Sequence, residues 1–595
     1  MSLSPVTSAR GSRRRRSPRS AAAMLRSPLV LVVMVVVSWF VVALLVLPNL
    51  NMLAVTFFPD GQFSWSAVER LSRSTRAMRA LGNSFLLAVL LSITTNVVGV
   101  FIVLATRFFD LRGARVLWLG YATTFIYGGI VLAAAYKLIY GSEGVVGRLL
   151  AAVVPGLPAD WFTGLPAVLF TMTLATTTNH LLFVSASVSG LDGQMLEAAR
   201  MMGASTWTVL RRIVLPMMRP VLFATTILSF LTGLGALSAP QVLGGRDFQT
   251  IAPMILTFSN SATSRDIAAL LALVLGLATI VLLVVLTRLE RSGTYFSIAK
   301  VSTTLVKQRI SHPVGNAVVH VVAWGLWVLY VLPVALIVAG SFMPPEVVGA
   351  GELDFGALTL ENYARVLTQN DALRPFVVSI VYSALAAVVV VFGMLLVSWI
   401  ATRYHNWLTE TMEYLLHIPW ILPSTMIALG LIMTYDHATW LMGRVVLTGT
   451  PIILFLAYVI VKTPFTLRML KASFASINGS LEEAASLMGA GKLTILRRIL
   501  LPAVLPAAAA VTALNFNGLL DDYDMAVFLA HPLYQPLGLV IQTSTSGDVG
   551  PEATSNVFVY TVLLMVITGV TMWLVYGGAG TRRRRKLHLP EESTK

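Results

Sequence analysis

This 595-residue sequence contains no cysteine and few charged side chains. The absence of cysteine excludes disulfide bonds and thiolate metal sites, but it leaves the cellular compartment open. Charged residues make up 12% of the chain, whereas a typical globular domain has about 25%. Hydrophobic residues make up 56%, and the mean hydropathy is +0.79. The chain therefore lacks the polar surface that a water-soluble protein needs, and its composition indicates a membrane protein.

Acidic residues are scarcer than basic ones: 27 Asp and Glu stand against 43 Lys and Arg, a net charge of +16. Such an excess could indicate nucleic-acid binding. However, many basic residues cluster near the chain ends, as in Arg13–Arg16 and Arg582–Lys586, or in short loops between apolar runs. The positive-inside rule and the attraction of anionic lipid headgroups account for basic clusters beside membrane spans. We therefore predict a lipid bilayer as partner, and no nucleic acid.

Twelve apolar runs approach the length of about 20 residues that a membrane-spanning helix needs. Six lie in each half, so the sequence predicts an all-α polytopic membrane protein with two homologous six-helix halves. The first run is too long for the apolar part of a signal peptide, which favours a retained span. The runs lie near residues 29–47, 83–105, 116–138, 165–188, 217–237, 267–288, 318–340, 376–400, 415–435, 451–470, 503–520 and 556–577.

The domain boundaries follow from these runs and from a polar, basic stretch between the halves. If both termini are cytoplasmic, most basic loops also lie on the cytoplasmic side. The predicted parts are a basic cytoplasmic tail (1–28), a first half (29–288, core about 80–290), a cytoplasmic linker (289–316), a second half (317–580, core about 375–580) and a second basic cytoplasmic tail (581–595). An exception to the charge rule is the first outer loop, where Arg70, Arg73, Arg76 and Arg79 are spaced like one face of an amphipathic helix.

A long motif occurs twice, and its two copies lie 286 residues apart. Between Met195–Pro220 and Leu481–Pro506, fourteen of 26 positions are identical without a gap. Each copy contains Glu-Ala-Ala, then a glycine, a pair of arginines and Leu-Pro. A repeat at nearly half the chain length indicates that the protein consists of two copies of one unit.

The motif resembles the cytoplasmic EAA loop of type I ABC importer permeases, and two copies in one chain resemble a fused permease pair. The resemblance implies the type I ABC permease fold, with a solute pathway between the halves, in a bacterial inner (cytoplasmic) membrane. It also implies two partners: two copies of an ABC ATPase subunit and an extracytoplasmic solute-binding protein. The residues it assigns to ATPase docking are Glu197, Ala198, Ala199, Gly203, Arg211, Arg212, Glu483, Ala484, Ala485, Gly489, Arg497 and Arg498.

Each part of the motif also has a physical interpretation. Glu197 and Glu483 are predicted near a helix start, where a carboxylate meets the positive end of the helix dipole. Ser480-x-x-Glu483 has the form of a capping box, which would give Glu483 a structural role, but Gln194 replaces this serine in the first copy. The glycines permit a turn, and Pro216 and its counterpart are predicted in the first turn of the next span. The paired arginines fit either docking or the positive-inside rule.

The chain carries no convincing nucleotide-binding or catalytic motif. Gly489-Ala-Gly491-Lys492 resembles part of a phosphate-binding loop, but that pattern would need Gly at Ser486 and Ser or Thr at Leu493. The eight histidines are scattered, without metal-ligand spacing or carboxylate pairing. We therefore predict no enzymatic activity, no metal and no cofactor in this chain, and we expect ATP hydrolysis from a partner subunit.

Polar side chains within spans are costly in lipid and are therefore candidates for a solute pathway. The alternative for the amides and the histidine is hydrogen bonding between helices. The acidic residues could attract a cation or form a solvated helix end. The candidates are Asn179 and His180 in the fourth span, Asn515 and Asn517 in the eleventh, and Asp521, Asp522 and Asp524 at the outer end of the eleventh.

The substrate class depends on resemblance alone. The segment from Leu234 to Gly245 resembles the region after the fifth span in ferric-iron, polyamine, thiamine and phosphonate permeases. The fused form resembles ferric-iron and thiamine members, whereas Asp-Asp-Tyr-Asp looks nearer to polyamine-type permeases. We expect ferric iron, with polyamine, thiamine or phosphonate as alternatives. An ion-coupled secondary transporter is a different class, which would predict charged relays deep within spans and no docking motif.

Overall fold

A computed structural model describes residues 27–586, except 159, 262, 292–306, 311, 405 and 546–549. Nearly all of the predicted N-terminal tail, most of the linker and residues 587–595 of the C-terminal tail lie outside the described residues. The described part is mostly helical, and its β-type pairing is confined to two isolated bridges, Phe109–Gln308 and Thr439–Val445.

In each half, long helices alternate with short connecting ones. The first half contains α1 (Pro28–Phe57), α2 (Ser66–Arg73), α3 (Thr75–Phe108), α4 (Ala114–Tyr121), α5 (Gly129–Tyr140), α6 (Val145–Val153), α7 (Gly164–Ser189), α8 (Gly193–Met201), α9 (Thr206–Leu234), α10 (Ser238–Leu243), α11 (Ile251–Ser259) and α12 (Arg265–Arg291). The second half contains α13 (Pro313–Ser341), α14 (Pro345–Gly349), α15 (Glu361–Thr368), α16 (Asn370–Arg403), α17 (Trp407–Ile421), α18 (Ser424–Tyr435), α19 (Pro451–Ala475), α20 (Gly479–Leu487), α21 (Leu493–Leu520), α22 (Ala526–Leu529), α23 (Leu537–Thr545) and α24 (Pro551–Lys586).

The long helices confirm the predicted all-α polytopic fold. Among the described residues, eleven helical segments are long and apolar enough to cross a membrane, and the bent pair of α17 and α18 would make a twelfth. Helices satisfy every backbone N–H and C=O within the segment, which is what a chain in lipid requires because no water is available there.

The third span of the second half is broken, which corrects the prediction of a single helix near 415–435. Helices α17 and α18 are bent by 106° relative to each other. Pro423 lies in the break with extended ψ. Proline has no backbone N–H to donate, and it disfavours the helical conformation in the preceding residue. The hydropathy of this run is therefore that of a span, but its backbone turns sharply inside it.

The corresponding run of the first half, near 116–138, is also interrupted. Helix α4 is followed by a 3-10 turn at Ala122–Phe125, and α5 begins only after the extended residue Gly128. Irregular backbone at membrane depth is tolerated where it is buried in protein or lines a cavity. The two breaks are therefore places where a cavity inside the molecule is expected.

The two halves repeat each other in register. In the later part of each half, residues 286 positions apart begin equivalent helices, as with Ile251 of α11 and Leu537 of α23. The backbone N–H of Ile251 donates to Ser84 Oγ, and that of Leu537 donates to Ser379 Oγ, both at 2.8 Å. The duplication inferred from the docking motif therefore extends to hydrogen bonds that hold equivalent helices in place.

The first span of each half packs into the core of the other half. The buried residues of α1 between Val30 and Leu45 belong to the hydrophobic core of the second half, and Asn51 Nδ2 donates to the Met433 carbonyl at 2.8 Å. Conversely, Tyr330 of α13 lies in a core cluster that consists mostly of first-half residues, and Tyr121 donates to the Ala323 carbonyl of α13 at 2.7 Å. The two halves are therefore interlocked.

The arginines of the first outer loop do not form one helical face. Helix α2 ends at Arg73, Ser74 has extended backbone, and α3 begins at Thr75. Ser74 Oγ caps α3 by accepting from the Ala77 N–H at 3.4 Å. The prediction of a single amphipathic helix is therefore wrong, because a serine N-cap divides the arginine series between two helices.

Candidate functional site

Helices α8 and α20 carry the Glu-Ala-Ala parts of the repeat. Asp192 caps α8 by accepting from the Gln194 N–H at 3.0 Å, and Asn478 caps α20 by accepting from the Ser480 N–H at 3.2 Å. The cap of α20 is thus Asn478, so the capping-box interpretation of Glu483 is wrong. Glu483 also lies beyond the first turn of its helix, where the dipole effect has weakened.

Helices α8 and α20, which the sequence predicts to dock the ATPase and which are called the docking helices below, present the same kind of surface. The two Glu-Ala pairs and the four motif arginines are exposed, whereas the third residue of each Glu-Ala-Ala, Ala199 or Ala485, is buried against its own half. Large apolar residues are exposed at four equivalent positions of each copy; Met201 is 90% exposed and Leu487 is 89% exposed. These positions are Met195, Met201, Met202 and Trp207 in the first copy, and Leu481, Leu487, Met488 and Leu493 in the second. Clustered exposed apolar residues beside charged ones are typical of a protein interface.

The docking helices end in turns that only glycine readily adopts. Gly203 has a φ of 84° and Gly489 a φ of 80°, in the left-handed region where a Cβ atom is strained. The next helix starts soon after each glycine, so Pro216 and Pro502 lie well inside α9 and α21 rather than in a first turn. A π-helical stretch precedes each proline. Such a stretch is one way in which a helix accommodates an interrupted hydrogen-bond ladder.

The two docking helices are braced differently. In the first half, Arg200 donates to Thr206 Oγ1 at 3.0 Å, and Thr206 donates to the Arg309 carbonyl of the linker at 2.9 Å. In the second half, Arg403 Nη1 forms an ion pair of 2.8 Å with Glu482 Oε2. The first loop is thus tied to the linker, whereas the second is tied directly to α16.

Three of the predicted pathway residues, Asn179, His180 and Asn515, line neither of the two cavities between the halves. His180 is fully buried and lies 3.2 Å from Asn96 Oδ1 through its Nε2, and Asn96 in turn donates to Thr226 Oγ1 at 2.9 Å. In the second half, Asn515 donates to Thr466 Oγ1 at 2.7 Å. These contacts are the interhelical hydrogen bonds of the alternative interpretation.

Asn179, the neighbour of His180, is partly buried and lines neither central cavity.

The remaining four candidates share one cavity of about 330 Å³ between the halves. Its walls are the break between α4 and α5 in the first half, and the segment from Asn517 to Asp524 in the second. Asp521 accepts a hydrogen bond from the backbone of Gly128, at the positive end of α5. The acidic cluster is therefore enclosed between the halves and does not form a freely solvated helix end.

The other two carboxylates of this cavity also have partners. Asp522 Oδ2 accepts from the backbone N–H of Met525 at 3.2 Å and from that of Ala526 at 3.3 Å, so it caps α22. Asp524 Oδ1 accepts from Ser238 of the first half at 2.7 Å. Asp524 thus joins the two halves through its side chain, as Asp521 does through its hydrogen bond from Gly128.

A second cavity, of about 460 Å³, lies next to the first. It is lined by both helix breaks: Gly129 of the first half, and the stretch from Pro419 to Ser424 of the second. Gly129, Ser238 and Asp524 line both cavities. These three residues therefore lie where the two cavities meet.

The cavity changes the acid–base properties of its carboxyl groups. Burial raises the pKa of Asp521 to about 6. Burial, with the neighbouring Asp524 carboxylate as a second cause, raises the pKa of Asp522 to about 7. Among the described residues, no group of three or more His, Cys, Asp or Glu side chains is arranged to hold a metal ion. The cavity can therefore attract a cation, but its carboxylates do not converge on one point.

Sequence reasoning missed several residues of this region. Lys462 of α19 donates to the Gly518 carbonyl at 3.0 Å beside the acidic segment, and its position within an apolar run could have identified it. Ser238 could have been paired with Asp524 because the two lie 286 residues apart, the distance between the motif copies. Pro423 could have indicated the break in its span.

Comparisons with known proteins agree with this architecture. Residues 145–292 and 390–577 match the family of binding-protein-dependent transport system inner membrane components. A probable ABC transporter permease protein of Sinorhizobium fredii, y4fN, is 37% identical over 90% of this chain and 94% of its own length.

Two more distant relatives have substrates in their names. The putative ferric transport system permease protein FbpB 1 of Haemophilus influenzae is 22% identical over 82% of this chain and 75% of its own length. The spermidine/putrescine transport system permease protein PotC of the same organism is 26% identical over 38% of this chain and 82% of its own length.

Proposed function

Since this chain belongs to the family of binding-protein-dependent transport system inner membrane components, it is a multi-pass permease subunit of an ABC transporter, and we propose that it imports ferric iron. The family also implies ATPase and solute-binding partners. Membership in this family removes the reason to consider an ion-coupled secondary transporter.

The coupling part of the proposal rests on the two docking surfaces. Each copy exposes a Glu-Ala pair, an arginine pair and four large apolar residues, and each is continuous with a spanning helix through a glycine turn. Two equivalent surfaces suit two copies of one ATPase subunit. A helix that is tied to a span can convert closure of the ATPase pair into movement of that span. ATP-driven closure would thus open the pathway outward, and hydrolysis would reset it.

The substrate part of the proposal rests on the acidic cavity between the halves. Asp521, Asp522 and Asp524 border it, and carboxylates raise the local concentration of cations. Ferric iron fits this charge and the names of the ferric relatives of similar length. A polyamine or thiamine would fit the same charge. A phosphonate, or the sulfate named for other relatives, would be repelled.

The orientation of the chain completes the proposal. Because most basic loops lie on one side of the predicted spans, we place both termini, the linker and both docking loops in the cytoplasm of a bacterial cell, across its inner membrane. The binding protein then delivers the solute from the opposite side.

The test is solute uptake into proteoliposomes that contain the permease, its ATPase and its binding protein. Ferric iron, spermidine, thiamine, phosphonate and sulfate are compared. We expect iron uptake, and we expect it to be slowed by replacing all three aspartates with asparagine while the ATPase still co-purifies. Selective uptake of an anion that the triple substitution leaves undiminished would overturn both the substrate and the role of the cavity.

A second experiment tests the docking surfaces. We expect the double variant Glu197→Lys with Glu483→Lys to lose ATPase co-purification and transport while remaining inserted in the membrane. Unchanged co-purification and unchanged transport would refute the docking assignment.

A further inference from the structure

Ser238 and Asp524 occupy the same place in the two halves. They lie 286 residues apart, which is the distance between the docking motifs and between the starts of equivalent helices. Two copies of one unit that face each other are related by a pseudo-twofold axis. A residue can contact its own equivalent only close to that axis. The hydrogen bond of 2.7 Å between Ser238 and Asp524 therefore lies on the axis between the halves.

This contact also lies where the two central cavities meet. Both residues line the cavity of about 330 Å³ and the cavity of about 460 Å³. A solute that moves from one cavity into the other at this point would pass beside the pair. In the described conformation, the hydrogen bond holds the halves together at that point.

The pair is chemically unequal, although its positions are equivalent. The second half has Asp521, Asp522 and Asp524, whereas the first half has Gly235, Ala236 and Ser238 at the same places. The contact thus combines a neutral donor with a carboxylate, and the smaller cavity holds the carboxylates of one half only. Duplication alone would not produce this difference. The first half thus contributes a hydroxyl group to the contact, and the second half contributes a carboxylate.

Unpartnered polar groups in the same cavity indicate a polar occupant. Tyr523 is 2% exposed and lines the smaller cavity, and its hydroxyl has no hydrogen-bond partner among the described residues. Neither the oxygen nor the nitrogen of the Asn517 amide, on the same wall, has a partner in the described part of the chain. Buried polar groups without partners are costly, and a polar ligand in the cavity would remove that cost.

We propose that Asp524 is a cation-operated latch. In the closed form its carboxylate is held across the axis by Ser238. A cationic solute in the smaller cavity takes this carboxylate as a partner, together with Asp521 and with the free polar groups of Tyr523 and Asn517. Ser238 then loses its acceptor, and the halves can separate at the axis. This inference rests on the proposed function, because it assigns a gate to the same cation pathway.

The geometry of the acids suits a latch better than a storage site. Asp522 is occupied in capping α22, and no metal-holding group of three ligands exists among the described residues. A solute must leave the pathway, so a single carboxylate exchanged between Ser238 and the cation is more suitable than a rigid cage. Lys462 lies beside the cluster and limits its net negative charge.

Two single substitutions separate the hydrogen bond from the charge. Asp524→Asn keeps an acceptor for Ser238 but removes the charge, whereas Ser238→Ala keeps the charge but removes the donor. Asp354→Asn is the matched control: Asp354 is exposed, accepts a hydrogen bond from the Gly356 N–H at 2.9 Å and lines neither cavity. Each variant is reconstituted with its partners, and ferric iron and spermidine serve as probe cations.

We expect Asp524→Asn to slow cation uptake at least about tenfold, as for the loss of one partner of a buried charged contact. We expect Ser238→Ala to retain uptake and to increase the ATP-independent leak of preloaded cation several-fold. The control should behave like the unchanged protein. Equal effects of the two variants, or a loss of uptake in Asp354→Asn as large as in Asp524→Asn, would overturn the latch.

Because the chain has no cysteine, the contact can also be monitored directly. The double variant Ser238→Cys with Asp524→Cys lacks the Asp524 carboxylate and should therefore transport slowly before oxidation. Oxidation should form a disulfide in the resting complex and abolish this remaining uptake, and reductant should restore it. A disulfide that leaves the remaining uptake unchanged would overturn the latch.

The two proposals can fail separately. If the unchanged protein transports no cation, the proposed substrate is wrong. If it transports a cation and both single variants do so at the unchanged rate, only the latch is wrong.

Discussion

The close contact between Gly99 and His180 is a tight residue-scale constraint on the first half. A Cβ atom on Gly99 would lie 2.3 Å from Cγ of His180, far inside van der Waals contact. The histidine is fully buried and cannot move outward. Gly99 therefore lets α3 and α7 approach closely enough for His180 to meet Asn96.

We predict that Gly99→Ala destabilises the protein by about 1–3 kcal/mol, the usual cost of overpacking a filled core. The measurement is the thermal unfolding temperature in detergent. Gly82→Ala is the matched control, because Gly82 lies on the same helix with no atom within 4 Å of its added Cβ. Equal unfolding temperatures for the two variants would contradict the prediction.

The acidic cavity predicts a pH dependence at the residue scale. Because burial raises the pKa of Asp521 to about 6 and that of Asp522 to about 7, protons compete with a cation near neutral pH rather than near pH 4. Asp524 and Lys462 are the other charged groups of this region.

Cation binding should therefore weaken as the pH falls from 7.5 to 5.5. The measurement is equilibrium binding of a terbium(III) probe to the purified complex. Binding that does not change over this range would show that these carboxylates do not hold the cation.

At the scale of elements, the two docking helices have the same form but different supports. Arg403 connects α16 to α20 through Glu482. Its counterpart in the shared Ala-Thr-Arg sequence, Arg107, instead lies over the Trp118 ring, 5.6 Å from its centroid. Only in the second half does this arginine reach the docking helix.

We predict that Arg403→Gln weakens ATPase co-purification more than Arg107→Gln. The ion pair is partly buried, so its loss should cost about 1 kcal/mol. A double-mutant cycle with Glu482→Gln isolates the pairwise energy. A zero coupling energy, or a larger effect of the Arg107 variant, would rule out the bracing role.

At the scale of the whole molecule, the exchanged first spans interlock the halves. Asn51 of α1 donates to Thr434 Oγ1 of the second half at 3.2 Å, although 383 residues separate them. Such contacts hold the two halves together without requiring an intact linker between them.

Two fragments, residues 1–300 and 301–595, should therefore reassemble when they are co-expressed. The variant pair Asn51→Cys and Thr434→Cys should crosslink them, whereas Leu50→Cys with Thr434→Cys should not, because Leu50 is 55% exposed. Fragments that purify separately, or equal crosslinking of both pairs, would contradict the exchange.

The orientation across the membrane is also a property of the whole molecule. Ser205 and Gly491, beside the docking helices, are exposed and predicted to be cytoplasmic. A cysteine at either should resist an impermeant thiol reagent in intact cells, whereas Asp354→Cys in an outer loop should react. Labelling at Ser205→Cys in intact cells would reverse the topology.

The amino-acid sequence by itself determined the fold class, the duplication and the positions of the repeated Glu-Ala-Ala motif. These properties depend on local hydropathy and on spacing along the chain, which are readable without knowing how helices meet. Two local features were nevertheless predicted wrongly. Asn478 rather than Ser480 caps α20, and Pro423 divides an apolar run that hydropathy alone predicts to be one helix.

Only the tertiary structure decided which residues face each other across the two halves. The exchange of α1 and α13, the joining of both helix breaks at one cavity, and the contact of Ser238 with Asp524 link residues hundreds of positions apart. The packing of the helices places Asn517 and the three aspartates around a shared cavity. It places His180 and Asn515 against neighbouring helices, to which they form hydrogen bonds. A polar residue in an apolar run has the same sequence signature in both cases, because what it faces is set by packing between helices.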